Sequence, residues 1–97
     1  MRIISRKMLV DFWTNHPDAE QPLKVWFHEA QCASWKSPND IKQRYPKASI
    51  LPRDRVVFDI KGNTYRLIVV VIYQFNTVYL RFVGTHAEYD KIDATTI

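Results

Sequence analysis

The chain has 97 residues, of which 46% are apolar and only two are glycine. This length fits one domain over residues 1–97 with a single core, and the composition excludes a disordered or low-complexity protein. The net charge is +4. The single cysteine excludes an intramolecular disulfide, and the longest apolar run is too short to cross a bilayer. We therefore expect a cytoplasmic protein that does not contact a membrane.

The first part of the chain predicts one short strand followed by two helices. Residues 1–4 have the pattern of a strand, and Ser5 is a candidate N-cap for a helix that begins at Arg6 and stops at the Asn-His-Pro sequence of residues 15–17. A longer helix is predicted over residues 18–36, because apolar residues recur there at helical spacing.

The middle of the chain predicts a short helix and then a basic loop. Ser37 precedes a proline and two polar residues, a pattern typical of a helix start, and the helix is expected to end at Tyr45 before a second proline. Residues 46–54 are predicted to form a loop.

Three strands are predicted in the second half, at residues 56–60, 64–73 and 78–83, with a hairpin turn at residues 61–63. The strand over residues 64–73 is apolar on both faces apart from Arg66, which is typical of a central strand. The order β-α-α-β-β-β, followed by a helical turn, predicts an α+β fold with two N-terminal helices on one face of a small antiparallel sheet.

The excess positive charge lies in the middle third of the chain. Residues 36–66 hold eight basic and three acidic side chains, a net charge of +5, whereas residues 1–35 are neutral and residues 67–97 carry a charge of −1. A local excess of this size favours a polyanionic partner, since each neutralised phosphate releases a counterion. The alternative is a basic surface that is simply solvated.

A charged residue within the apolar central strand is the first candidate site residue. Alternation places Arg66 on the sheet face opposite the helices, together with Arg55 and Asp59 of the preceding strand. The planar guanidinium can hold two phosphate oxygens. The alternative is a cross-strand pair between Arg66 and Asp59 with no role in binding.

The sequence THAEYDK at residues 85–91 supplies the other candidates. Thr85 and Glu88 have the spacing of a capping box, so Glu88 is expected to cap a helix rather than to act in catalysis. His86 and Tyr89 then lie on one face of that helical turn, where an imidazole and a phenol can exchange protons with a substrate. The alternative is that both side chains only cover the edge of the sheet.

These residues carry a resemblance to a known family. The strings GNTYRL at residues 62–67 and THAEYDKID at residues 85–93, within a likeness that covers essentially the whole chain, resemble the HigB toxins of the RelE superfamily. The resemblance implies a RelE-like fold and an mRNA interferase that cleaves messenger RNA in the ribosomal A site without a metal or other cofactor. In this chemistry the ribose 2′-hydroxyl attacks the adjacent phosphate and expels the 5′-oxygen.

The resemblance also implies a role for each candidate. Arg66 matches the strand arginine that holds the scissile phosphate, His86 matches an arginine or histidine proton donor, and Tyr89 matches a tyrosine that stacks on or orients the substrate. The general base stays open among His86, Tyr89, Lys61, Asp59 and a ribosomal group, because Val57 and Asp59 stand where RelE has lysines. The expected contacts to messenger or ribosomal RNA are Lys47, Arg53, Arg55, Lys61 and Lys91.

The implied partners are the ribosome, messenger RNA and a HigA-type antitoxin with a helix-turn-helix domain, through which operator DNA would be bound. Two other interpretations compete with this one. One is a non-catalytic RNA-binding module that uses the same basic face, and the other is an inactive toxin homologue that only binds its antitoxin.

Overall fold

A five-stranded sheet with the strand order β1-β5-β4-β3-β2 is the frame of the computed structural model, which describes residues 1–97. Strands β2 to β5 pair antiparallel, and β1 joins β5 in parallel at one edge. The predicted α+β class and the first strand are confirmed, but the parallel pairing of that strand was not predicted. The loop predicted over residues 46–54 contains a short strand, which pairs with β3. The strands are β1 (Arg2–Ile4), β2 (Ser49–Ile50), β3 (Arg55–Ile60), β4 (Tyr65–Ile72) and β5 (Thr77–Thr85).

Four α-helices accompany the sheet: α1 (Lys7–Asn15), α2 (Glu20–Cys32), α3 (Pro38–Arg44) and α4 (His86–Tyr89). Single 3₁₀ turns lie at Pro17–Ala19 and Tyr73–Phe75. None of the helices is long and apolar enough to cross a membrane.

Two predicted helix boundaries differ from the structure, and the predicted helix start at Ser37 is confirmed. Ser5 is not a cap, because Arg6 occupies the N-cap position of α1 and makes no side-chain capping bond. The helix predicted over residues 18–36 ends at Cys32, since Ala33 is extended at φ −81° and ψ 160°. Ser37 does precede α3, but without a side-chain capping bond.

The main core lies between the sheet and the helices α1 and α2. Alternate residues of β3 and β4, from Val56 to Ile60 and from Tyr65 to Val71, are buried on this face as predicted, against Leu9, Leu23 and Trp26. This packing fixes which residues of β3 and β4 point the other way, and Arg66 is one of them.

The opposite face of the sheet is covered in part by the end of the chain. A second, smaller core holds the buried Val57, Ile68 and Ala94, with Phe82 and residues of the last segment, Ile92 and Ile97, packed against it. The area around Arg66 is one of the parts of this face that the end of the chain leaves uncovered.

A β-bulge in β5 sets the direction of the side chains at the site. Ile68 pairs with Phe82 and Val69 pairs with Leu80, so Arg81 is an extra residue in β5. Leu80 packs into the main core, whereas Phe82 packs into the second core. The bulge thus allows Gly84 to lie opposite Arg66 at the end of the strand.

Candidate active site

Arg66 lies in β4 with its side chain 12% exposed, on the face that the helices do not cover. Its Nε is 3.4 Å from a carboxylate oxygen of Asp59, the residue directly opposite in β3. The predicted cross-strand pair is therefore present. The pair engages Nε of the guanidinium, so the two terminal nitrogens of Arg66 can bind other partners.

The hairpin between β3 and β4 gives Arg66 a second support. The terminal nitrogens of Arg66 donate to Asn63, at 3.2 Å to its main-chain oxygen and also to its side-chain oxygen. Lys61 and Gly62 have φ values of 52° and 62°, which give the turn that places Asn63 over the strand. Asn63 was not predicted as a partner of Arg66, although its position three residues before the arginine was an available signal.

Helix α4 begins directly at the end of β5 and is fixed by its capping box. The Glu88 main-chain N–H donates to the Thr85 hydroxyl at 3.2 Å, and the Thr85 main-chain N–H donates to the Glu88 carboxylate at 2.8 Å. The box is thus confirmed, and the hydrogen bonds from Thr85 lower the pKa of Glu88. The carboxylate is engaged in the helix itself, as predicted, rather than directed at a substrate.

The three catalytic candidates come together where β4 meets α4. The Arg66 guanidinium carbon lies 5.7 Å from the ring centroid of Tyr89, and the rings of Tyr89 and His86 lie 6.5 Å apart. The main-chain N–H of His86 also donates to the Thr64 carbonyl at 3.3 Å, which joins α4 to the hairpin. The cluster therefore unites the Arg66 cation with a phenol and an imidazole that lie 20 or more positions further along the chain.

His86 has a carboxylate neighbour within the same turn. Its Nε2 is 3.4 Å from an oxygen of Asp90, and both side chains are about half exposed. The carboxylate of Asp90 is therefore close enough to interact with the imidazole at the surface of the turn. Asp90 was not predicted as a neighbour of His86.

The five residues predicted to contact RNA differ in the exposure of their side chains and in the bonds that these already make. Lys47, Arg53 and Lys91 are exposed and form no ion pair. Arg55 is half-buried and donates to the main-chain oxygen of Ile97 at 2.6 and 3.2 Å. Lys61 bonds Asp18 at 2.6 Å.

A second polar cluster on the helix side of the hairpin was not predicted. Asp18 accepts hydrogen bonds from Lys61 and from the hydroxyl of Tyr65, and both bonds lower the pKa of Asp18. The bond to Asp18 raises the pKa of Tyr65. His16 stacks on Phe12 with a centroid distance of 4.3 Å and contacts Tyr65 edge-on. This cluster fastens the hairpin to the loop after α1, and Lys61 is thereby directed away from Arg66.

No group of three or more His, Cys, Asp or Glu side chains is placed to hold a metal ion. The site thus consists of a restrained guanidinium beside two groups able to exchange protons, next to a basic hairpin. This arrangement suits an anion such as phosphate, because the Arg66 guanidinium lies beside the Tyr89 ring and His86 lies on the same helical turn as Tyr89. This site, on a small sheet whose other face is covered by helices, is compatible with the class of small RelE-like domains.

Comparison with known proteins gives the family. The family of HigB toxins, described as the RelE-like toxic component of a toxin–antitoxin system, matches residues 19–92. The mRNA interferase toxin HigB of Escherichia coli strain K12 is 27% identical over 96 residues, which are 97% of this chain and 92% of that protein. The mRNA interferases HigB of Escherichia coli O157:H7 and of Shigella flexneri show the same identity and coverage.

Because the family match covers most of the chain, the chain belongs to the HigB toxin family. It is the toxic component of a toxin–antitoxin system, and an antitoxin is its partner.

Proposed function

We propose that the chain is an mRNA interferase, an endoribonuclease that cleaves translated messenger RNA on the ribosome and is neutralised by its antitoxin. The observation that carries the proposal is the convergence of Arg66, His86 and Tyr89 on the open part of the sheet. The relatives named mRNA interferases, similar over nearly the whole length, support it. A guanidinium restrained beside two groups able to exchange protons favours the catalytic interpretation over the binding-only ones.

In the proposed reaction the ribose 2′-oxygen attacks the adjacent phosphorus and the bond to the 5′-oxygen breaks, which leaves a cyclic phosphate. Arg66 binds the non-bridging oxygens and stabilises the charge that builds on them. Asp59 and Asn63 hold the guanidinium before the substrate arrives, so little reorganisation is needed during the reaction.

The proton transfers are assigned to α4. His86 donates a proton to the leaving 5′-oxygen, and Asp90 orients its ring. Two groups remain for removal of the 2′-proton, the Tyr89 phenol and a group of the ribosome. Lys61 and Asp59 are less suited, because each is held by another partner. Tyr89→Phe separates the two possibilities, since it abolishes cleavage only if the phenol is the base.

The basic residues are proposed to bind the RNA backbone. Lys91 lies next to the catalytic turn, and Lys91, Arg53 and Lys47 are unpaired and available for phosphate. Arg55 and Lys61 would exchange their present partners for RNA on the ribosome. We also propose that the protein acts in the cytoplasm, where its substrate is translated, and that the antitoxin is of the HigA type and carries the operator-binding domain.

The test is cleavage of a translated messenger in a purified translation system, with growth arrest on expression as the cellular readout. Arg66→Ala and His86→Gln are expected to lower the cleavage rate by a factor of about 10² or more. Matched controls are Arg81→Ala and His28→Gln, which remove an exposed arginine and an exposed histidine outside the cluster. Omission of ribosomes should abolish cleavage by the wild type.

A harmless wild-type chain that cuts no translated message would refute the proposal and favour one of the binding-only interpretations. Full activity of both cluster variants, with an unchanged melting temperature, would refute the site assignment alone.

A further inference from the structure

Three apolar side chains form a row across the sheet, on the face opposite the helices. Ile4 in β1, Tyr79 in β5 and Val70 in β4 pair side by side, and Arg55 of β3 lies next to Val70. Both neighbours of Tyr79 along β5 point into the main core, so Tyr79 points to the opposite face, and its cross-strand partners share that face. We call Ile4, Tyr79 and Val70 the Tyr79 row.

The Tyr79 row is not covered by the rest of the chain. None of its three side chains belongs to either core, and the end of the chain packs elsewhere, against the second core. Tyr79 is 41% exposed, and Ile4 and Val70 are half-buried. Phe75, in the turn just before β5, is 70% exposed, so both exposed aromatic side chains of the protein lie at this end of the sheet. Exposed apolar side chains that lie together mark an interaction site.

The charge beside the Tyr79 row is positive. Arg2 precedes Ile4 by two residues and so shares its face; it is exposed and forms no ion pair. Arg55 has only main-chain oxygens as partners. Asp59 is the only acidic residue in the five strands, and it pairs with Arg66. The row therefore favours an anionic ligand, and a second copy of the chain would bring like charges together.

The Tyr79 row and the catalytic cluster lie on the same face, at a separation set by β4. Val70 and Arg66 are four residues apart in this strand, which corresponds to about 13 Å. Ile68 lies between them and is buried in the second core, and the main-chain oxygen of Ile97 is bonded to Arg55. The end of the chain thus lies between the row and the cluster, and a ligand that contacts both passes over it.

We propose that the Tyr79 row is a second binding site for messenger RNA, in which an unpaired base a few nucleotides from the scissile phosphate stacks on Tyr79. Arg2 and Arg55 bind the phosphates beside that base. Proteins recognise single-stranded RNA in this way, with aromatic rings that stack on bases and cations that hold the backbone.

A nucleotide fits this place better than an acidic peptide. It offers a phosphate for an arginine together with a flat, apolar base face for the Tyr79 ring, whereas acidic side chains would satisfy only the arginines. The inference deepens the proposed function, and rests on it, because it assigns a further contact to the same substrate.

The first test measures the affinity of the purified chain for a labelled single-stranded RNA of about ten nucleotides, a length typical of such sites. Its riboses carry 2′-O-methyl groups, so it cannot be cleaved. Tyr79→Ala should weaken binding about fivefold or more, while Tyr79→Phe keeps the ring and should stay within about twofold of the wild type. Val25→Ala removes an exposed apolar side chain of α2 and should leave the affinity unchanged.

The salt dependence of the same binding reaction tests the arginine. Arg2→Ala should weaken binding and lower the salt slope by about one phosphate contact. Lys7→Ala removes an exposed cation of α1, on the other side of the sheet, and should leave the slope unchanged.

Two further measurements identify the place and the source of the RNA. In NMR spectra the methyl signals of Ile4 and Val70 should shift when the RNA is added, because the ring of a stacked base lies over them. On ribosomes, Tyr79→Ala should weaken binding when a messenger is present and have no effect on vacant ribosomes.

RNA affinity of Tyr79→Ala equal to that of the wild type would overturn the proposal, as would methyl signals that the RNA does not shift. Equal losses on vacant and programmed ribosomes would overturn it in favour of ribosomal RNA. Shifts produced by the antitoxin or by a higher concentration of the chain, and not by RNA, would overturn it in favour of a protein occupant.

None of these measurements needs RNA cleavage. A chain that cuts no message but shows the Tyr79 effects refutes the proposed enzyme and leaves the second binding site. An active toxin without these effects refutes the Tyr79 row alone.

Discussion

The capping box of α4 gives the sharpest prediction about how the site is held. Replacement of Thr85 by Ala removes the hydroxyl that accepts the Glu88 N–H at 3.2 Å. Loss of a threonine N-cap costs about 0.5–2 kcal/mol. Helix α4 has four residues, too few to be stable by itself. The lost free energy therefore shifts the local equilibrium between folded and opened α4, and this equilibrium decides whether His86 and Tyr89 are ordered.

A cost of about 1.4 kcal/mol corresponds to a tenfold change in that equilibrium, and 0.5–2 kcal/mol to a factor of roughly 2 to 30. Hydrogen exchange at the Glu88 amide should accelerate by this factor in Thr85→Ala. Cleavage of translated messenger should fall in proportion once the opened form is a substantial part of the population. Thr85→Ser keeps the hydroxyl and is the matched control, with exchange and cleavage close to those of the wild type.

The reasoning would be refuted by a Thr85→Ala protein in which exchange at Glu88 is unchanged. The packing of Tyr89 against the second core would then hold α4 by itself.

Three further predictions concern the surroundings of the site. An added Cβ at Gly84 would lie 2.5 Å from the Phe82 ring, so Gly84→Ala should cost about 1–3 kcal/mol and lower Tm by at least about 4 °C; a Tm within about 1 °C of wild type contradicts this packing. Asn63→Ala releases one support of Arg66 and should lower the cleavage rate about tenfold at unchanged Tm, whereas equal or faster cleavage would show that the support is dispensable. The pKa of Glu88 in the folded chain lies below its ordinary value of 4.5, so ionised Glu88 stabilises the fold above that pH, and this contribution is lost as the pH falls through the lowered pKa. The Tm difference between the wild type and Glu88→Gln should therefore shrink between about pH 6 and pH 3. A constant Tm difference would contradict the assignment of Glu88 as the cap.

The sheet and the helical turn that carries His86 and Tyr89 could be predicted largely from local pattern. Alternation in the central strand gave the correct faces because one face is buried against helices and a one-residue shift would expose it. The turn at residues 85–89 was predictable since both partners of the capping box lie within four residues of each other. These signals are local, and they placed His86 and Tyr89 relative to each other.

Long-range pairings were not predictable in the same way. Nothing in residues 1–4 indicates that this strand joins β5 in parallel, since the pairing depends on residues more than 70 positions away. The bulge at Arg81 and the cover that residues 92–97 give to the second face likewise arise from tertiary contacts. The partners Asn63 and Asp90 were missed because polar residues in a turn or a short helix usually face solvent.

The central claim is that Arg66 and His86 act on messenger RNA in one site. The most direct measurement is the single-turnover cleavage rate on ribosomes programmed with a defined messenger, for the wild type, Arg66→Ala, His86→Gln and the double variant. The account predicts a loss of about 10² or more for each single variant and a double variant little worse than either, because groups that act as a unit are not additive. Wild-type rates in both single variants with the fold intact would contradict it.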